Sequence, residues 1–196
     1  MKININESIL LSIIIIFIYI LYLIKKNRLT LVEANNNVKF MVYNDTNKAV
    51  SANLLAELVD RMYKLRDKLI YNKKKYIEYE EYIDFLEVNF NQDRTSIYEN
   101  IPDTDLTSYS VNKGEELAFC LKSKKTGNFH DINLLMYVAV HEMAHMACPE
   151  IGHGELFKKV FRFLIIEAIN FNLYKKIDYQ YNPVEYCGMI LSSSII

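Results

Sequence analysis

His141 and His145 stand four residues apart with Glu142 directly after the first, and His153 follows eight residues beyond the second, all within "HEMAHMACPEIGHGELF". On a helix, positions i and i+4 share one face a turn apart, so the first two imidazoles can meet a single ion. Glu142 then projects beside them, toward the open side of that ion. Zinc lowers the pKa of a bound water toward neutrality, and an adjacent carboxylate takes the water's proton as it attacks a carbonyl. A catalytic zinc needs three protein ligands and an open fourth position, so the pair alone is not enough. His153 supplies the third. An unbroken helix would carry it about 12 Å along the axis, but Pro149 and Gly152 break the helix and let the chain return. A bare H-E-x-x-H arises by chance in on the order of one in a few hundred chains of this length. The apolar helical setting, the breaker and the third histidine lift this one above that background. His130, alone before the helix, reads as a capping or surface residue.

The elements that must hold these residues can be read outward from them. Asp131 sits where an N-cap belongs, before "INLLMYVAVHEMAHMA", which has no Pro or Gly from Ile132 to Ala147. The pattern predicts a buried, mostly apolar helix with the histidine pair in its last turns. A further helix is expected from near Gly154, turning Leu156, Phe157, Val160 and Phe161 inward. Upstream, "TSYSV", the turn-like "NKGE" and the alternating "ELAFCL" read as a β-hairpin or two short strands. "VKFMVY" from Val38 alternates as a strand that opens the domain. Leu54, Leu58, Met62, Leu65 and Leu69 form the stripe of an amphipathic helix with Ser51 or Asn53 as its cap, and Tyr76, Ile83, Leu86 and Phe90 a second stripe. "IDYQYNPVEYCGMIL" reads as extended.

The chain has 196 residues, 51% hydrophobic and 13% aromatic, enough for one compact domain with an appendage and too apolar for intrinsic disorder. A net charge of -1, from 23 basic and 24 acidic residues, gives no global field toward nucleic acid or an anionic surface. Cys120, Cys148 and Cys187 are odd in number and widely spaced, which argues against a disulfide framework and for a reducing compartment. Cys148 and Cys187 read as buried small hydrophobes. "ILLSIIIIFIYILYLI", Ile9 to Ile24, carries no charge and covers roughly 24 Å as a helix. With Tyr19 and Tyr22 suited to the interface and Lys25 and Lys26 able to snorkel, residues 9–24 read as an uncleaved membrane anchor. The division is then 1–28 for the anchor and 29–196 for the domain. Lys25, Lys26 and Arg28 after the span, against Lys2 before it, put the domain of this single-pass membrane protein in the cytosol.

"HEMAHMACPEIGHGELF" resembles the metal-binding segment of the WLM family of zinc metalloproteases and their SprT-like relatives, in which H-E-x-x-H is followed by a third His and a helix bearing Phe. The tail "HGELF" is similar to the His-Gly-x-x-Phe of SprT-like domains, although the spacing from His145 to His153 is intermediate between the two groups. "SYSVNKGEELAFCL" and "NPVEYCG" are similar to segments of small proteins of this group from large DNA viruses. The resemblance covers roughly residues 38–191 and is specific between about 107 and 160. It implies a zincin-like α+β fold with a small sheet packed on the H-E-x-x-H helix, here preceded by the N-terminal transmembrane helix. It maps zinc to His141, His145 and His153, and the general base to Glu142. Tyr186 in "EYCG" becomes the candidate oxyanion donor, with Tyr109 its competitor, and Glu167 or Glu185 the candidate to accept a ligand histidine's second N–H. The expected activity is membrane-anchored, zinc-dependent hydrolysis of a protein or peptide substrate. Family members cut proteins crosslinked to DNA, so a nucleic-acid partner is implied by the resemblance alone. The rival reading is an anchored interaction protein with a silent zinc site, for which Glu142 has no use. A carboxylate-bridged site built on Glu142–His145 and Glu150–His153 is spoiled by Pro149 and Gly152.

Overall fold

The computed structural model describes residues 5–26, 28–102 and 104–196, with the side chains of the first helix described from 9 to 20. Helix α1 (Ile5–Lys26) is followed by strands β1 (Leu29–Glu33) and β2 (Lys39–Tyr43) and helix α2 (Lys48–Tyr71). Two 3-10 turns, Lys73–Lys75 and Ile77–Tyr79, lead into α3 (Glu80–Asn89) and strands β3 (Ser96–Glu99), β4 (Tyr109–Val111) and β5 (Glu116–Phe119). Helices α4 (Ile132–Ala147) and α5 (Glu155–Asn170) come next, then strands β6 (Val184–Tyr186) and β7 (Met189–Leu191).

The main sheet has the order β1-β2-β3-β5-β4, and β6 and β7 form a separate antiparallel hairpin. Pairs β1/β2 and β4/β5 are antiparallel, whereas β2/β3 and β3/β5 are parallel. Parallel neighbours cannot be joined by a tight turn, so the chain crosses from β2 to β3 through α2 and α3. That crossover makes the fold mixed α/β and corrects the expected α+β arrangement. The packing differs too. Helix α2 lies on β1, β2 and β3, while α4 packs against α5, α3 and α2 and meets the sheet at β4, its edge. Of the expected α2 stripe, Leu58, Met62, Leu65 and Leu69 are wholly buried between these layers, joined by Leu55, whereas Leu54 is only partly buried; each wholly buried side chain contributes roughly 1.5–3 kcal/mol by leaving water. Helix α2 starts earlier than its stripe suggested, after Asn47, which makes no side-chain cap bond. Ser51 is buried inside it, and the Asn53 side chain instead accepts the Asn35 N–H at 2.8 Å.

The expectation of a transmembrane helix is overturned: among the described residues, no helix is long and apolar enough to cross a membrane. The single-pass membrane localisation falls with it. The large apolar side chains described in α1, between Ile9 and Ile20, are exposed. The side chains of Lys2, Tyr22, Lys25 and Lys26, used in the orientation argument, lie outside the described residues.

Candidate metal centre

Helix α4 begins where its sequence says, with the Asp131 carboxylate accepting the Asn133 N–H at 2.8 Å. From Leu134 to Ala147 nearly every side chain is buried, because α2, α3 and α5 surround it. His141 and His145, only partly buried, open instead onto a cavity of about 810 Å³. The helix ends at Cys148, whose N–H closes on the Ala144 carbonyl. Gly152, at φ +88°, takes the left-handed conformation that a residue with a Cβ rarely adopts, and the chain turns back to bring His153 to the cavity.

The three Nε2 atoms then converge. His141 to His145 is 3.2 Å, His145 to His153 is 3.1 Å and His153 to His141 is 3.1 Å. Phe157, in the first turn of α5, packs on all three rings, with centroids 4.3 Å from His145, 4.8 Å from His153 and 5.0 Å from His141. The loop between the second and third histidines is held from outside by Lys113, in the turn joining β4 to β5. Its Nζ donates to the carbonyls of Cys148 at 2.6 Å and Glu150 at 2.8 Å.

Burial dominates the electrostatics. It pushes His141 down to about 3, with the charges of His145 and His153 adding to the effect. It likewise pushes His145 down to about 4, assisted by His153 and Lys113. Both rings are therefore neutral near pH 7, the form that offers a lone pair to a metal. Burial pushes Glu142 up to about 7 at the cavity wall.

Tyr186 lines the same cavity and is 2% exposed. Its hydroxyl shares a hydrogen bond with Ser108 Oγ, which accepts the Cys120 N–H at 3.1 Å. Burial, then the Glu142 charge, holds this phenol above its ordinary range. The Tyr109 hydroxyl is 3.2 Å from that of Tyr98, which donates to Glu116 at 2.7 Å, so it is engaged outside the histidine trio. Glu167 accepts from Tyr76 at 2.7 Å and Asn170 at 3.1 Å, and Glu185 from the Gly188 N–H. Among the described residues neither glutamate hydrogen-bonds the trio. Ser108 and Lys113 were not singled out in the sequence, since a serine beside a strand and a lysine in a turn carry no signal of their own.

Two further expectations are corrected. His130 is buried at 8% exposure rather than on the surface, and its Nε2 accepts the Cys187 N–H at 3.3 Å. Cys120 and Cys187, 67 residues apart, are joined as a disulfide. The end of β5 and the β6–β7 turn meet in space, which linear spacing does not disclose. Cys148 stays a free, buried thiol. Among the described residues, two groups could hold a metal ion: His141, His145 and His153, and Cys120, His130 and Cys187.

No family model matches the chain. The crystal structure of Wss1 from Saccharomyces cerevisiae aligns with a TM-score of 0.48 at 20% identity, covering 67% of this chain and 88% of that one. A protein called 136R from Invertebrate iridescent virus 6 is 39% identical over 69 residues, 34% of this chain and 38% of that protein. The uncharacterized protein R325 of Acanthamoeba polyphaga mimivirus is 41% identical over 192 residues, 98% of this chain and 96% of that one. With identity of that level along almost the whole of both chains, this chain belongs to the family of the mimivirus protein R325.

Proposed function

We propose that the chain is a zinc-dependent metallopeptidase with its metal held by His141, His145 and His153. The observation that carries this reading is the triangle of Nε2 atoms with sides of 3.1 to 3.2 Å. A neutral imidazole has one N–H, so three ring nitrogens this close cannot all be satisfied by one another, and their lone pairs repel. A cation among them removes the conflict. Tetrahedral bonds of about 2.0 Å set ligand nitrogens roughly 3.3 Å apart, so the donor set fits zinc with little movement. When bound, zinc supplies Lewis acidity, making a water more acidic and polarising a carbonyl.

The remaining steps belong to the chain's own side chains. Glu142 holds a carboxylate at the cavity wall and takes the proton of the attacking water. It then delivers that proton to the leaving amine. Tyr186 donates its hydroxyl hydrogen bond to the carbonyl oxygen as negative charge builds, and Ser108 holds the phenol. Strand β4 ends the sheet, and Tyr109 and Ser110 line the cavity. Its outer edge offers backbone groups to an extended polypeptide, which favours a protein or peptide substrate. The net charge of -1 adds no independent support for a nucleic-acid partner.

The test is metal-dependent cleavage of an unfolded protein substrate. Chelation abolishes cleavage and one equivalent of zinc restores it. A chain that binds one zinc at the trio yet cleaves neither unfolded proteins nor peptide libraries would instead fit the silent-site reading.

A further inference from the structure

Cys120, His130 and Cys187 form a second cluster, with no residue shared with the histidine trio. Cys120 follows β5, His130 precedes α4, and Cys187 sits at φ +52° in the turn between β6 and β7. All three are buried, at 4%, 8% and 3% exposure, and their ligand-type atoms lie within 4.8 Å of one another. His130 Nε2 faces the cluster, where it accepts the Cys187 N–H at 3.3 Å, and binding an ion through this nitrogen replaces that long hydrogen bond. The Lys122 carbonyl oxygen lies 3.2 Å from Cys120 Sγ and 3.8 Å from Cys187 Sγ, a fourth donor at the same place.

The sulfurs are bonded to each other in the structure, with Cα atoms 6.2 Å apart. A thiol reductant changes what this place can hold. Two equivalents of a small-molecule thiol break the S–S bond, and the reductant leaves as its own disulfide. Two electrons pass to the cysteine sulfurs, and each takes up one proton. The freed sulfurs must then separate to non-bonded contact, about 3.7 Å. That is also the spacing of two thiolates on one tetrahedral zinc with bonds of about 2.3 Å. A divalent ion entering there displaces both protons. Two soft thiolates and an imidazole select zinc or a similar ion over calcium or magnesium.

We propose that Cys120, His130 and Cys187, when the cysteines are reduced, form a second, structural zinc site that ties the β6–β7 hairpin to the end of β5. The disulfide and the metal are alternative occupants of one place, and each holds Tyr186, the neighbour of Cys187, in the cavity wall. The site is independent of the proposed peptidase centre, and its donor set distinguishes the two. Thiolate ligands give cobalt(II) intense sulfur-to-metal charge-transfer absorption in the near ultraviolet, which three histidines cannot produce.

The experiment uses the full chain, stripped of metal and loaded with cobalt(II), with and without a thiol reductant. The expected result is one cobalt per oxidised chain without the charge-transfer band, and two per reduced chain with it. His145→Ala with His153→Ala removes one ion and keeps the band, whereas Cys120→Ser removes the band and keeps the other ion. Alkylation of the reduced wild-type chain by a small reagent guards against misfolded variants, because thiolates held by zinc react more slowly than the same cysteines once reduction has untied the β6–β7 hairpin from the end of β5. A reduced chain that takes up cobalt without the band, or whose cysteines alkylate equally with and without zinc, overturns the proposal. A chain that shows the band but binds no second ion keeps this proposal and sinks the histidine site instead.

Discussion

At the residue scale, the proposed chemistry divides between a group that moves a proton and a group that receives charge. Tyr186→Phe removes one hydroxyl from a cavity wall that the ring still fills, so metal content should be unchanged. Loss of one oxyanion donor lowers kcat by about 10²–10³ with little change in KM. Equal kcat for the variant and wild type in steady-state assays would remove Tyr186 from the mechanism. His153→Ala is expected to lower zinc affinity sharply, read by competition with a colorimetric chelator. His141, Glu142, His145 and His153 were legible because helix geometry and one helix break are written into local sequence. Tyr186 came only through the resemblance, and nothing local marks a tyrosine in an extended segment as facing histidines more than thirty positions earlier. Cys120 and Cys187 were misread for the same reason: their pairing is a fact of tertiary structure.

At the scale of elements, the turn joining β4 to β5 acts on the metal centre without touching an ion. Lys113→Met keeps the aliphatic stem and removes two hydrogen bonds to the loop that delivers His153. We expect zinc affinity to fall about 10-fold or more, the lower end of what outer-shell changes cost, as measured by metal competition. Gly114 in the same turn has φ +102°, and a Cβ there would stand 2.8 Å from the Asn89 carbonyl oxygen and collide with Met146. Gly114→Ala should therefore destabilise the fold by about 1–3 kcal/mol in urea titrations, combining backbone strain with displacement of α4's last turn. Gly127→Ala, at φ +73° with nothing within 4 Å, should show the strain alone. Helix α4 and the β4–β5 hairpin were readable because period and caps are local. Strand β3 was not, being four residues long and paired in parallel with β2 and β5 across intervening elements, and the short β1 was missed although its partner β2 lies just across a turn, with Glu33 opposite Lys39.

At the scale of the whole molecule, the buried core joins the sheet, α2 and the α3–α4–α5 layer, while the described side chains of α1 stay exposed. We propose that residues 29–196 are the unit that folds and binds metal, and that removing 1–28 leaves thermal midpoint and zinc content unchanged. The apolar run in α1 was over-read from its composition: among the described residues no helix is long and apolar enough to cross a membrane. The Cys120–Cys187 link closes a sequence separation of 67, and loop-closure entropy gives such a link about 4 kcal/mol. Reduction of the metal-free chain should lower its stability in urea by up to about that amount, and zinc should recover part of it. The account's central claim is that the histidine trio and Glu142 form one hydrolytic centre, and the most direct measurement compares peptide-bond cleavage by zinc-loaded wild type and Glu142→Gln. The predicted result is one histidine-bound zinc in each protein, with cleavage in the variant lower by several orders of magnitude. Equal, chelator-sensitive cleavage by both proteins would contradict the account.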